Sequence, residues 1–458
     1  MPGQSHITTL SMLKFKFPHP LALLVGCILF AAALSYILPA GQYKRRDDPE
    51  TRRSIVVAGT YHAVASSPIG PFEAFVAIPK GMADAGSVIF LVFLIGGSFA
   101  VVERTGALAR AADWLVRTLQ HHKSLAIPTI SVAFAVGGAL ENMQEEIIAL
   151  VPVLLVLTRR LGFEATTAVS MSIGAAAVGA AFSPINPFQV GIAQRLAEIP
   201  ILSGSVFRLG FFAPALAIWI WGTMRHGSRH RTPYCGSDHE QSCPLALRHG
   251  LILLVLAWTF VVLIFGMLRL GWHFEQMSAL FFVMGVAAGL IGRLGLTGTA
   301  EAFVEGFRSM AYAALLIGFA RAIYVVLDEG RIVDTIVHAL FAPIALLPVG
   351  LSALGMMFVQ SIVHFPVPSV SGQAVLTLPV LIPLTDLLGL SRQVTVLAYQ
   401  YGAGLCALLT PTNGALMAVL ATAGVGYEQW LKFALPLYLA LFALGMIAIY
   451  LGISIQLK

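Results

Sequence analysis

The chain has 458 residues, of which 58% are hydrophobic and only 11% are charged, and its formal net charge is +6. Soluble domains carry about 25% charged residues, so this composition cannot supply a polar outer surface and predicts an integral membrane protein. The basic residues are scattered, with no stripe and no interleaved aromatics, which argues against nucleic acid as a partner. The four cysteines do not indicate a disulfide framework.

The N-terminal part predicts a membrane span, a polar loop and a second span. Residues 18–43 contain no Asp, Glu, Lys or Arg, and this stretch is long enough to cross a hydrocarbon core of about 30 Å. The loop 44–70 is polar and basic, and the next span is expected near 87–102. Residues 103–123 mix charged side chains with apolar ones and predict a helix that lies at the membrane interface.

Two apolar stretches are predicted to fold back on themselves as re-entrant hairpins. The first, 124–160, is interrupted by the acidic segment 141–146, and each limb has the length of a half or short span. The second, 335–385, holds 51 residues without one Asp, Glu, Lys or Arg. As a straight helix it would extend about 75 Å, well beyond a bilayer. Two prolines and a glycine between 366 and 372 mark the expected turn.

The chain contains an internal duplication. Residues 151–200 align with 378–427 at a constant offset of 227 residues and without a gap. In this alignment Ser-Pro-Ile-Asn at 183–186 meets Thr-Pro-Thr-Asn at 410–413, and both tetrapeptides interrupt long uncharged segments. A duplicated membrane unit with one broken helix in each copy is typical of secondary transporters, whose binding site lies at the breaks.

The order interfacial helix, hairpin, broken helix and span therefore occurs twice, and an odd number of crossings between the copies inverts the second one. We predict an all-α integral membrane fold with inverted repeats, two re-entrant hairpins and two broken helices. The predicted units are an N-terminal span with an extracytoplasmic loop, a first transport repeat, a cytoplasmic linker with intervening spans, and a second, inverted transport repeat, over 1–86, 87–224, 225–300 and 301–458. The basic residues place the N-terminus and the 225–249 linker in the cytoplasm, although the basic loop 44–70 then lies outside.

Polar groups at the two breaks are the first candidate ligands. Backbone at membrane depth must line a cavity or be buried in protein, and half-helix ends bind ions or carboxylates. The side chains that add to these groups are Ser183, Asn186, Thr410, Thr412 and Asn413. Ser183, Asn186, Thr410 and Asn413 are the candidate ligands of a coupling cation such as Na⁺, and H⁺ is the other candidate coupling ion. The alternative is a pair of proline kinks that neighbouring helices satisfy.

The hairpin tips supply the other candidate ligands. The first tip carries Glu145 and Glu146 beside Asn142, and ionised carboxylates near the membrane interior are costly and usually functional. The second tip offers small hydroxyls and an amide, namely Ser369, Ser371 and Gln373. An acidic tip and a neutral polar tip suit a substrate that has an ammonium or guanidinium group and a carboxylate. The alternative is a first tip that emerges into cytoplasmic water.

Arg321 lies within an apolar run and has two interpretations: an ion pair with an acid, or a side chain that snorkels to the interface. The sequence shows no nucleophile elbow, no zinc-binding His-Glu motif and no phosphate loop, so neither enzymatic activity nor a cofactor is expected.

Several of these segments resemble the YfcC-like, DcuC-type carriers of the ion transporter superfamily, described as basic amino acid antiporters or C4-dicarboxylate carriers. The segments that carry the resemblance are 144–146, 186–188, 317–323, 368–374 and 410–414. The resemblance covers about 17–457 and implies a multi-pass protein of the bacterial inner membrane, forming a homodimer and moving a small-molecule substrate by an elevator-like step.

The leading expectation is a secondary active transporter of a basic amino acid, by arginine/ornithine-like exchange or by ion-coupled uptake. The alternative is a dicarboxylate carrier of the same fold, in which bound cations would have to offset the repulsion between a dianion and the acidic tip. An intramembrane enzyme or a sensor is less favoured, since the sequence offers neither a catalytic constellation nor a soluble output domain.

Overall fold

The structure is a computed structural model that describes residues 19–48, 53–57, 59–108, 110, 125–140, 144–231, 247–270 and 272–457. These residues are mostly helical, with two short antiparallel sheets of two strands each. Six of the described helices are long and apolar enough to cross a membrane. They are Gly86–Arg104, Ser205–Arg229, Phe274–Ile291, Gly295–Glu329, Val370–Leu387 and Tyr427–Ser454. The predicted helical membrane fold is confirmed at this level.

The N-terminal group consists of three helices and a loop with four short strands. In chain order the elements are α1 (Pro20–Ile37), β1 (Gly41–Gln42), β2 (Arg45–Asp48), β3 (Arg53–Val56), β4 (His62–Ala63), α2 (Pro71–Asp84) and α3 (Gly86–Arg104). Strand β1 pairs with β4, and β2 pairs with β3. The sequence pattern does not predict α2 as a span, because Glu73, Lys80 and Asp84 make it too polar.

The remaining helices follow in chain order. The predicted first repeat, which begins with α3, also contains α4 (Ala126–Leu140), α5 (Glu145–Leu161), α6 (Ala165–Ala181), α7 (187–196) and most of α8 (Ser205–Arg229). The intervening helices are α9 (Leu247–Leu270) and α10 (Phe274–Ile291), and α11 (Gly295–Glu329) continues into the predicted second repeat. That repeat also contains α12 (Val333–Phe341), α13 (Val349–Val363), α14 (Val370–Leu387), α15 (Arg392–Cys406), α16 (Gly414–Ala423) and α17 (Tyr427–Ser454).

The duplicated sequence builds the same local structure in both copies. The second limbs of the hairpins, α5 and α14, each end at a glycine in the left-handed conformation, Gly162 with φ 80° and Gly389 with φ 65°. This conformation ends a helix without the strain that a Cβ would add. Thr158 and Thr385, which precede these glycines, both donate their hydroxyls to the carbonyl four residues earlier, at 2.8 and 2.7 Å.

The first limb of each hairpin packs on the helix that precedes the break of the same repeat, α4 on α6 and α13 on α15. Glycines make the close approach possible. A Cβ at Gly138 or Gly179 would overlap the backbone of the opposite helix, and a Cβ at Gly402 would overlap the backbone of α13. The limbs of the predicted hairpins are thus separate helices, α4 and α5 in the first and α13 and α14 in the second, and their re-entrant arrangement stays a prediction. Residues 141–143 of the first tip lie outside the described residues.

The loop between α1 and α2 is anchored on α12. The buried carboxylate of Asp334 accepts hydrogen bonds from the Tyr43 N–H and from Arg45 Nη2, each at 2.8 Å. The ring of Tyr61 stacks on His338 with centroids 4.1 Å apart. Burial, and then the charge of Asp334, raises the pKa of Tyr43 to about 12. Helix α12 therefore packs with one face, including Asp334, turned inward.

Arg321 forms an ion pair with Asp84, which decides between its two interpretations. The pair joins α11 to α2, and the guanidinium also lies 4.8 Å from the centre of the Tyr324 ring. Gly81 and Gly318 lie on the facing surfaces of these two helices, where a Cβ on either would overlap the other helix. The segments 109, 111–124 and 232–246, which belong to the predicted interfacial helix and the cytoplasmic linker, lie outside the described residues.

Candidate functional site

The first break is tied to the first hairpin by its own polar side chains. Ser183 Oγ donates to the Ala139 carbonyl at 2.7 Å, and Asn186 Nδ2 donates to the Gly138 carbonyl at 2.9 Å. Each side-chain oxygen also accepts from the backbone N–H groups two and three residues later, at 2.9 to 3.1 Å. Both side chains are fully buried. Asn186 therefore caps α7, and the break is held by hydrogen bonds that replace those the helix loses.

A buried arginine lies behind the first break. Arg208, in the first turn of α8, donates to Gln400 Oε1 at 2.9 Å, to Gln393 Oε1 at 2.7 Å and to the Ser203 carbonyl at 2.7 Å. Gln400 in turn donates to the Ser183 carbonyl at 2.8 Å. Arg208 is 0% exposed, and no carboxylate of the described residues lies within ion-pair distance. Among the described residues its guanidinium is therefore bonded only to neutral oxygens, and one of these partners, Gln400, also contacts the break.

The second break contacts both hairpin tips. Asn413 Nδ2 donates to Gln144 Oε1 of the first tip at 2.8 Å, although Gln144 belongs to the other repeat. Thr412 Oγ1 donates to the Phe365 carbonyl of the second tip at 2.6 Å. Thr410 Oγ1 donates to the carbonyl four residues earlier at 2.7 Å. The second break is therefore the place where the two repeats and the two tips meet.

Helix α17 satisfies the carbonyls that the second break releases. Trp430 Nε1 donates to the Leu408 carbonyl at 2.8 Å, and Tyr427 Oη donates to the Leu409 carbonyl at 2.5 Å. These bonds meet the requirement that backbone groups at membrane depth find partners inside the protein.

The first turn of α5 carries the acidic pair. Glu145 and Glu146 are half-buried and directly follow Gln144, so they lie at the helix N-terminus, where backbone N–H groups favour negative charge. Asn142 lies outside the described residues. At the second tip, Ser369 caps α14 by accepting from the N–H three residues later at 3.3 Å, and Ser371 follows in the first turn.

The second hairpin has a polar interior. Gln373 is fully buried and donates to the Gln360 carbonyl at 2.7 Å and to Gln360 Oε1 at 2.5 Å. Gln360 donates to Thr377 Oγ1 at 2.8 Å, and His364 Nδ1 lies 2.9 Å from Gln373 Oε1. These contacts join the two limbs near the tip.

The structure thus brings Asn413 of the second break into contact with Gln144, the residue before the predicted pair Glu145 and Glu146. It buries Gln373, predicted at the second tip, between the two limbs of that hairpin. The buried partners are not among the site residues predicted from the sequence; they are Arg208, Gln360, His364, Thr377, Gln393 and Gln400. The sequence does contain a feature that could identify several of them. Amides and an arginine within long apolar segments need partners inside the protein.

The fold and the site define a multi-pass membrane protein with two interrupted helices and two polar hairpin tips. Residues 17–454 match the family model described as "DcuC: C4-dicarboxylate anaerobic carrier", and the chain belongs to that family.

Relatives match over nearly the whole chain. The chain is 31% identical to "Putative basic amino acid antiporter YfcC" of Escherichia coli strain K12, over 95% of this chain and 96% of that protein. It is 28% identical to a Haemophilus influenzae protein without an assigned function, over 96% of this chain and 98% of the other. The YdaH transporter structure from Alcanivorax borkumensis covers 96% of this chain and 99% of its own, with 17% identity and a TM-score of 0.45, too loose a similarity to carry a conclusion. The protein is thus a member of a transporter family.

Proposed function

We propose that the protein is a secondary active transporter of basic amino acids in the bacterial inner membrane. The observation that carries this proposal is the hydrogen bond of 2.8 Å between Gln144 and Asn413. It joins the second break to the residue immediately before Glu145 and Glu146. A substrate bound at the second break would therefore lie near a carboxylate.

The hydrogen-bonding capacity left at the two breaks supports the same location. Ser183 donates one hydrogen bond and accepts two, so its hydroxyl is fully used. At the second break Asn413 Oδ1 accepts a single N–H, at 3.2 Å. Thr412 uses its hydroxyl hydrogen and keeps its lone pairs. These acceptors suit the N–H groups of an ammonium or guanidinium, which also gain from a carboxylate through charge-assisted bonds.

The name of one relative, "Putative basic amino acid antiporter YfcC", agrees with this substrate class. The proposal includes inverted repeats, a dimer and an elevator-like step, with Na⁺ or H⁺ as the coupling ion where transport is not an exchange. Ser183, Asn186, Thr410 and Asn413 stay the proposed cation ligands. A cation at Ser183 or Asn186 would have to displace a backbone N–H from the side-chain oxygen, which already accepts two.

A C4-dicarboxylate is the second candidate substrate. Arg208 favours it, because a fully buried guanidinium bound only to neutral oxygens among the described residues leaves a positive charge near the first break. The description of the matching family model names the same substrate class.

Counterflow in proteoliposomes tests both candidates. Vesicles with purified protein are loaded with arginine, ornithine, lysine, succinate or fumarate, and uptake of the labelled external counterpart is followed. We expect counterflow with the three basic amino acids and none with the dicarboxylates, relative to protein-free vesicles. Dicarboxylate counterflow alone would establish the second candidate, and no counterflow with any of the five would refute both.

A further inference from the structure

The second hairpin contains a buried histidine nitrogen without a partner. His364 is 1% exposed and follows α13 at the tip. Its Nδ1 contacts Gln373, whereas its Nε2 is buried and has no hydrogen-bond partner among the described residues. Buried polar atoms in folded proteins are nearly always hydrogen-bonded, so an exception needs an explanation.

A directional chain of hydrogen bonds determines which ring nitrogen carries the hydrogen. Thr377 donates its hydroxyl to the Gln373 carbonyl at 2.8 Å, so its oxygen accepts from Gln360 Nε2. Gln360 therefore turns Oε1 toward Gln373 Nε2, and Gln373 turns Oε1 toward His364. Because an amide oxygen only accepts, His364 Nδ1 is the donor, and Nε2 of the neutral ring is a free lone pair.

The alternative amide orientation is excluded by the same contacts. A flipped Gln373 would place its oxygen against the Gln360 carbonyl, at the 2.7 Å now spanned by an N–H donor. Two acceptors at that distance repel each other, so the chain has one satisfactory direction.

His364, whose Nε2 carries the free lone pair, lies in the segment that contacts the second break. The residue after His364 is Phe365, whose carbonyl accepts the Thr412 hydroxyl. We infer that His364 Nε2 is a substrate-binding acceptor, which takes an N–H of the substrate when the second tip moves. The movement is required because Nε2 is buried in the present conformation. This inference rests on the proposed function, since a dicarboxylate has no N–H to donate.

Two substitutions separate the two ring nitrogens. His364→Asn places an amide N–H near the position of Nδ1, so it can still bond Gln373 but has nothing at Nε2. His364→Gln can place an amide oxygen near Nε2. In arginine exchange we expect His364→Asn to raise the half-saturation concentration about tenfold with the maximum rate within about twofold, as for one lost hydrogen bond. His364→Gln should restore the half-saturation concentration to within about threefold of wild type.

Stabilisation by arginine in a thermal unfolding assay of the purified protein gives a binding readout that does not depend on transport. We expect arginine to stabilise the wild type and His364→Gln at similar concentrations. His364→Asn should need an arginine concentration about tenfold higher for the same stabilisation. Wild-type half-saturation and wild-type stabilisation in His364→Asn would overturn the inference while leaving the proposed function intact. An equal loss of arginine affinity in His364→Asn and His364→Gln would also overturn the inference. Absence of arginine exchange and of stabilisation by arginine in the wild type would overturn both.

Discussion

Asn186 and Asn413 occupy the same position of the repeat but make different contacts. Asn186 is bonded only to backbone groups, two N–H donors and the Gly138 carbonyl, all within its own repeat. Asn413 caps α16 through one N–H and gives its amide to the Gln144 side chain of the other repeat. The first asparagine therefore holds a break in shape, whereas the second also connects the break to a tip.

Replacing each asparagine separates capping from these further contacts. We expect Asn186→Ala and Asn413→Ala to reduce uptake strongly, with membrane expression near wild type. Asn186→Ala should also lower the unfolding free energy by about 1–2 kcal/mol, because it removes a buried cap. The matched variants Asn186→Ser and Asn413→Ser keep a capping oxygen and lose the amide donor. Wild-type uptake by both alanine variants would reduce the breaks to structural kinks.

The acidic pair of α5 is expected to matter through one of its members, since Glu145 and Glu146 point in different directions on the helix. Glu145→Gln or Glu146→Gln should raise the half-saturation concentration for arginine about 10- to 100-fold if the carboxylate binds the cationic group. If it carries a coupling proton instead, the variant should lose pH-driven uptake and keep substrate exchange, which moves no net proton. Normal transport by both variants from about pH 5.5 to 8 would show that the tip is a solvated turn.

At the scale of whole elements, Arg208 joins three parts of the protein that are far apart in sequence. It links the start of α8 to two glutamines of α15, and Gln400 continues the link to the first break. A lysine has one nitrogen where arginine presents a planar fork, so it cannot make the same three bonds. The shape of the first break therefore depends on a guanidinium at this position.

Arg208→Lys tests this dependence. It leaves at least one buried acceptor unpaired, which costs about 1–3 kcal/mol of stability, and it should slow substrate exchange. Arg229→Lys, an exposed substitution at the other end of the same helix, is the control and should be neutral. Thermal unfolding in detergent and exchange in proteoliposomes measure the two effects. Equal unfolding midpoints and exchange rates for both variants would show that the buried bonds are dispensable.

The sequence predicts the helical elements of the repeats better than it predicts their partners. Proline and polar residues at 183–186 and 410–413 act locally, so the two breaks are visible in the sequence. Helix α2 is not predicted as a span because it carries charged residues. The partner of Asp84 is Arg321, more than 200 residues later in the chain, so local sequence does not reveal the ion pair. The partners of Arg208 and Gln373 are likewise set by tertiary packing, which no local pattern encodes.

At the scale of the whole molecule, the duplication accounts for equivalent elements but not for equivalent contacts. Corresponding turns at Gly162 and Gly389 have the same handedness, because the local sequence sets it. The first break contacts Gln400, which in turn binds Arg208, whereas the second break contacts Gln144 and Phe365. This asymmetry supports the proposal that the substrate binds at the second break.

The inverted arrangement of the repeats stays a prediction, and it concerns the sides to which the two tips open. In a background without the four native cysteines, Gln144→Cys should react with a membrane-impermeant thiol reagent from the cytoplasm, and Ser371→Cys from the periplasm. The physical reason is that an odd number of crossings separates the copies, so each hairpin enters the bilayer from its own side. Arg229→Cys and His62→Cys, both exposed and predicted to lie on opposite sides, serve as the cytoplasmic and periplasmic controls. Reaction of both tip cysteines with the reagent from one side only would refute the inverted topology, and with it the elevator-like step that requires two opposed hairpins.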